Sequence, residues 1–264
     1  MESRNPVFGR SEQFARGGHA TFDTRTPSAG ELLDMYGAPT ATSADTGRMT
    51  IDDVVMRTAS LFAVLLATAA VTFEVIKPEG FALILGAALV GFGLSLWISL
   101  SKTIRPPAMF LYAAVEGVFI GGISNVFEQS YPGIVVQAVL GTLGTFGAML
   151  ALYKFNYIRA TPKFRRIVLI AGAGYLVFSL LNLGLSLITG NSAYNVTGLG
   201  LLISAFGVGL AALFLVLDFD YVDQGIRNGL PERFAWTAAF GLIVTLVWLY
   251  VEILRLLAIL RGDN

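Results

Sequence analysis

From about residue 51 onward the chain alternates long apolar stretches with short polar breaks. There are seven such stretches: Val54 to Ile76, Phe81 to Leu100, Pro106 to Phe127, Pro132 to Tyr153, Ile167 to Ile188, Val196 to Leu217, and Phe234 to about Leu260. Each is close to the ~20 residues that a helix needs to cross a bilayer's hydrocarbon core. None carries the two-residue alternation of a half-buried strand, and in lipid only a helix or a closed barrel satisfies its own backbone. The pattern predicts an all-α integral membrane protein, a bundle of seven transmembrane helices. Ahead of it, residues 1–50 are rich in Ser, Thr, Gly, Ala, Asp and Arg, with one amphipathic patch from Glu31 to Tyr36. That composition predicts a disordered polar tail without the basic-then-apolar order of a secretory signal. The expected organisation is a tail over 1–50 and a membrane domain over 51–264.

Composition strengthens this reading. Of 264 residues, 55% are hydrophobic and 14% charged, against about 25% charged in a soluble domain. The scarce charges are also unevenly placed, with 14 of the 36 in the first 57 residues. Lys and Arg then give an orientation. The second, fourth and sixth breaks hold Lys102, Arg105, Lys154, Arg159, Lys163, Arg165, Arg166, Arg227 and Arg233, whereas the alternate breaks hold Lys77 alone. Basic loops stay in the cytoplasm, so the N-terminus is expected to be cytoplasmic, in a multi-pass protein of the cell (plasma) membrane. Seven crossings would leave the C-terminus outside, although Arg255 and Arg261 then fall on the poorer side. Within the apolar stretches, glycines such as Gly86, Gly91, Gly117, Gly121, Gly141 and Gly207 suit close helix packing.

Several chemistries fall away. Net charge is zero, which argues against a nucleic-acid partner. Cysteine is absent and the single histidine, His19, lies in the tail, which removes most metal, haem, thiol and serine-histidine chemistry. The seventh stretch has no lysine for a retinal Schiff base, two facing aspartates for proteolysis are lacking, and no phosphate-binding glycine loop occurs. An enzyme is therefore not expected, and no resident cofactor. A channel, leak or carrier, or a membrane regulator, remains, with the lipid bilayer as first partner.

An ionisable group deep in lipid costs about 2.5–3.5 kcal/mol even on the lenient scale, so each one needs a reason. Glu116 falls at the middle of the third stretch. It is either a protonated acid bonded to a polar neighbour such as Asn182 or Thr142, or a group that handles ions or protons. Asp218, Asp220 and Asp223 cluster where the sixth stretch ends. If the helix runs on, Asp220 and Asp223 share a face and look to water, while Asp218 turns into the bundle, with Arg57 or a loop residue as its partner or with a proton. Three acids at a helix C-terminus oppose the helix dipole, which calls for a compensating proton or cation; plain solvation at the interface is the competing reading. Glu252 precedes Arg255 by three residues, the spacing of a local ion pair.

These residues resemble a known family, the transmembrane Bax inhibitor motif proteins, in the branch of bacterial YccA-like members. The resemblance spans about Ile51 to Leu260. It rests on Ala-Val-Glu-Gly-Val-Phe-Ile-Gly-Gly around Glu116, on Leu-Phe-Leu-Val-Leu-Asp-Phe-Asp with Asp218, and on the final Leu-Tyr-Val-Glu-Ile-Leu-Arg-Leu-Leu. It implies a bundle with helix seven central. It also implies a pH-dependent calcium leak gated by two aspartates, one on helix six and one on helix seven. The first maps onto Asp218; the second, aligned through Ala238 to Val244, falls on Thr245, which cannot share a proton as a carboxylate does. Glu252 lies seven residues further on and too far to replace it. Calcium, as the ion transported, would meet Asp218 and Glu116. The opposing implication is a non-conducting regulator whose partner is a membrane protease or another membrane protein.

Overall fold

The computed structural model describes residues 47–75, 81–190, 192–195 and 198–262, together with Ser28 and Gly30. The chain divides into two units, Met1–Thr42 and Ser43–Asn264, and the second holds the apolar helices. The amphipathic patch at Glu31 to Tyr36 and the lone basic residue Lys77 lie outside the described residues.

Seven helices make up this second unit: α1 (Ile51–Val75), α2 (Phe81–Leu100), α3 (Pro106–Ser130), α4 (Ile134–Lys154), α5 (Pro162–Thr189), α6 (Leu199–Arg227) and α7 (Phe234–Gly262), with a short 3-10 turn, Ala193–Asn195, between α5 and α6. All seven are long and apolar enough to cross a membrane. Among the described residues no strand forms beyond a single bridge between Arg48 and Pro231.

Where helix ends depart from the apolar stretches, local chemistry explains the difference. Helix α1 begins three residues before Val54. There Asp53 accepts from the Thr50 backbone N–H at 2.9 Å, while the Thr50 hydroxyl accepts from Asp53 N–H at 3.1 Å, a reciprocal cap that satisfies two orphan donors. Helix α5 begins five residues before Ile167 because Thr161 caps it through Phe164 N–H and Pro162 occupies the first turn, where no N–H is needed. It stops at Gly190, whose φ of 72° suits glycine at a helix end. The Glu128 carboxylate crowns the start of α4, accepting from Gly133 N–H at 2.6 Å and Val135 N–H at 3.1 Å. Helix α6 runs ten residues past Leu217, straight through the acidic cluster.

Packing proceeds from small residues. A Cβ on Gly117 or Gly121 of α3 would collide with the Leu65 or Ala69 carbonyl of α1, so α1 and α3 meet backbone to backbone. Not every glycine serves this way: around Gly86, Gly93, Gly144, Gly147 and Gly209 a Cβ would meet nothing. Helix α7 packs against α1, α3, α4 and α6, whereas α2 rests chiefly on α3 and α5 chiefly on α6. Two apolar clusters meet on α7. One joins Ile134 and Ala138 of α4 and Leu215 and Val216 of α6 to Leu249 and Leu254; the other joins Leu61 and Leu65 of α1 and Met109 and Ala113 of α3 to Ala239 and Ile243. Outward, Leu89, Leu111, Ile170, Leu181 and Phe206 stand exposed, the surface expected toward lipid.

One end of the bundle gathers the start of α1 with the α6–α7 connection. Met49 N–H donates to the Leu230 carbonyl, Glu232 N–H donates to Gly47, and Arg57 pairs with Glu232.

Candidate functional site

Helix α6 presents its three acids differently. Asp220 accepts from Arg165 of α5 and from Gln224, each at 2.6 Å. Asp223 pairs with Arg227 one turn on, at 2.7 Å, and accepts from the Tyr153 hydroxyl at 3.2 Å. Ion pairing within and between helices, rather than bare solvation, accounts for both. Asp218 is different: its Oδ2 is buried and takes no hydrogen bond. Thr245 of α7 is the polar neighbour within hydrogen-bonding reach, and Gly241 leaves the space beside Oδ1. The helix register turns Asp218 inward because residues two apart on a helix point to nearly opposite sides.

Asp218 and Thr245 line a cavity of about 390 Å³ that also takes in Ser101 and Thr103 of the α2–α3 connection and Thr237 of α7. Tyr221, one turn along α6, is the other titratable group in its wall. Arg57 takes no part there: it pairs with Glu232 and Asp53 and lies over the Trp236 ring. No cation compensates Asp218 among these walls. The chemistry of the site is one carboxylate with an unused oxygen, surrounded by hydroxyls.

Glu116 is buried in α3 but outside that cavity. Neither of its expected neighbours is present: Asn182 accepts from Ala193 N–H and donates to Ser192, pinning the α5–α6 connection, while Thr142 bonds its own helix at the Ala138 carbonyl. Glu116 instead lies within reach of the Tyr112 hydroxyl and over Gly91 of α2, where a Cβ would stand 2.7 Å from Oε1. Tyr112 in turn meets Phe240, a wall residue of the cavity, edge to face with ring centroids 5.0 Å apart. Glu116 thus sits one turn of α3 beyond the aromatic contact that borders the Asp218 cavity.

Glu252 forms a separate centre and is only 3% exposed. Arg255 donates to both of its oxygens, at 3.0 and 2.9 Å, and Trp248 donates to Oε1 at 3.2 Å. The Arg255 guanidinium lies 4.3 Å from the centre of the Tyr194 ring. The local Glu-Arg pair expected from spacing is present, with the Glu252 carboxylate buried and the Arg255 side chain partly exposed. Gly207 makes that burial possible, since a Cβ there would stand 2.7 Å from Glu252 Oε2.

The structure therefore joins Asp218 to Thr245 and keeps Glu116, Glu252, Asp220 and Asp223 in other surroundings. Tyr112 was not foreseen in the sequence, and Gly91 and Gly207 were legible as close-packing positions but not as the space beside Glu116 and Glu252. Tyr112 had a signal, four residues before Glu116 on one helix face; the pairing of each glycine with its glutamate had none, because the two lie on different helices. Among the described residues no cluster of three or more His, Cys, Asp or Glu is placed to hold a metal.

No protein of curated function matches this sequence. Against protein families, a match runs over residues 5–262, through the tail, the Glu116-Gly117 pair, the Asp218 turn and the last helix. This seven-helix membrane protein belongs to the Bax inhibitor 1 like family.

Proposed function

We propose that the protein is a pH-sensitive leak pathway for cations, calcium among them, across the cell membrane, with Asp218 as the group at which cation and proton compete. The observation that carries this is the buried, unpartnered Oδ2 of Asp218 in the wall of a cavity whose other polar lining is hydroxyl. A carboxylate desolvated without a cationic partner holds a proton or attracts a cation. Calcium takes about six to eight oxygens, and one carboxylate with a few hydroxyls offers too little charge to retain it. Weak holding suits passage, since conduction needs a site that an ion both enters and leaves. With Thr245 in place of a second acid, the response to pH rests on one carboxylate: protonated Asp218 has no charge to offer, so flux falls as pH falls. Glu116, behind the Tyr112–Phe240 contact, is the second acidic station on the route.

The test is calcium entry into dye-loaded proteoliposomes carrying the full chain, between about pH 6 and about pH 8. Wild type should lose flux on acidification, Asp218→Asn should be several-fold slower and flat with pH, and Glu116→Gln should be slower while keeping the pH response. No flux at all, or flux indifferent to both substitutions, overturns the proposal. Co-purification of a membrane protease that depends on residues 1–50 would then favour the non-conducting regulator.

A further inference from the structure

A second recess, of about 680 Å³, opens between the start of α5 and the end of α6, away from the Asp218 cavity. Its walls include Pro162, Arg165, Arg166, Leu169, Ile170 and Gln224, and their chemistry is segregated. The two arginines are the fourth and fifth residues of α5, while Leu169 and Ile170, 49% and 63% exposed, lie about one turn, ~5 Å, deeper along the same helix. Asp220 holds both Arg165 and Gln224, so this wall is fixed across two helices and that acid is already engaged, as Asp223 is by Arg227. Arg166 enters no ion pair among the described residues. Lys154, Arg159 and Lys163 add positive charge within about twelve residues of Arg166 along the chain, and no Asp or Glu occurs between Glu128 and Asp218.

We propose that this recess binds an acidic phospholipid, its phosphate against Arg166 and Arg165 and an acyl chain along Leu169 and Ile170. Cationic recesses between transmembrane helices at the headgroup level recognise anionic headgroups. The apolar half selects a lipid over a soluble anion: free phosphate would leave Leu169 and Ile170 uncovered. A zwitterionic headgroup would leave the excess positive charge of the rim uncompensated. Helix α5, which rests chiefly on α6, offers its remaining surface to such a lipid.

The full chain in detergent is titrated with phosphatidylglycerol, phosphatidylcholine or sodium phosphate, with retained lipid read by native mass spectrometry and competition read in the same spectra. Phosphatidylglycerol should be retained in preference to phosphatidylcholine. Arg166→Glu should lower that retention by at least about fivefold, the equivalent of roughly 1 kcal/mol for one interfacial charge, while Lys102→Glu, the same charge change in the α2–α3 connection and outside the recess, should leave it unchanged. Equal retention of the two lipids, an equal loss in both variants, or displacement of phosphatidylglycerol by phosphate at matching concentration each overturns the proposal. If Arg166→Glu does not yield folded protein, Arg166→Gln takes its place with the same expected direction.

Discussion

At the scale of single residues, glycines decide where acids can be buried. Gly207 stands against both Glu252 and Tyr175, so Gly207→Ala must displace the Glu252–Arg255 pair. Overpacking of this kind costs about 1–3 kcal/mol; thermal unfolding in detergent should register that loss, while Gly209→Ala, which meets nothing, should be neutral or slightly stabilising. Glu252 is worth a separate measurement. Glu252→Gln leaves Arg255, 29% exposed at its side chain, without its charge partner, a loss of about 1–3 kcal/mol, between the ~1 of an exposed pair and the ~3–5 of a fully buried one. Adding Arg255→Gln should recover part of it, because a coupled pair is not additive. Glu116, Asp218 and Glu252 were legible as candidates from their position in apolar stretches. The Arg255 partner of Glu252 was legible as well, from its spacing; the surroundings of Asp218 were not, since they come from helices far away in the chain, and the partners expected for the other acids are taken elsewhere, Arg57 by Glu232 and Asn182 by the Ser192 turn.

At the scale of elements, the α1–α3 contact is the most constrained. Gly117→Val or Gly121→Leu forces apart two backbones that touch, and relaxing one means moving the helix. The expected outcome is a large fall in monodisperse yield, measured by size-exclusion chromatography, whereas Gly86→Ala on α2 should leave the yield intact. The link between the start of α1 and the α6–α7 connection is milder. Its ion pair involves Glu232, about half exposed, so Arg57→Ala should cost less than about 1 kcal/mol from that pair, a shift checked by thermal unfolding. Helix existence and number were readable from apolar length alone. Helix ends were not: the Thr50–Asp53 cap, the Thr161 cap and the ion-paired extension of α6 all lengthen helices into polar sequence, where hydropathy carries no signal.

At the scale of the whole molecule, the two arginines that weaken the charge asymmetry have structural employment. Arg255 serves Glu252, and Arg261 donates to the carbonyls of Tyr131 and Pro132 at 3.3 and 2.9 Å, closing the end of the α3–α4 connection. Cations committed in this way say little about topology, which leaves the loop count as the better guide. The chain has no cysteine, so single introduced thiols can test it without background. Tyr157→Cys, in the basic α4–α5 connection, should react with a membrane-impermeant maleimide only from the cytoplasmic side, and Gln129→Cys only from outside; the reverse pattern would invert the expected orientation. By itself the sequence determined that this protein is a seven-helix membrane bundle, because lipid demands runs of apolar residues about as long as a bilayer is thick, and length and hydropathy are local properties. Only the tertiary structure decided which buried acids are satisfied and which is left open. A hydrogen bond or ion pair is a matter of a few ångströms between helices: the family resemblance pointed to Thr245 opposite Asp218, but only the packing shows that no cation joins them in the cavity wall and that one carboxylate oxygen is left unpartnered.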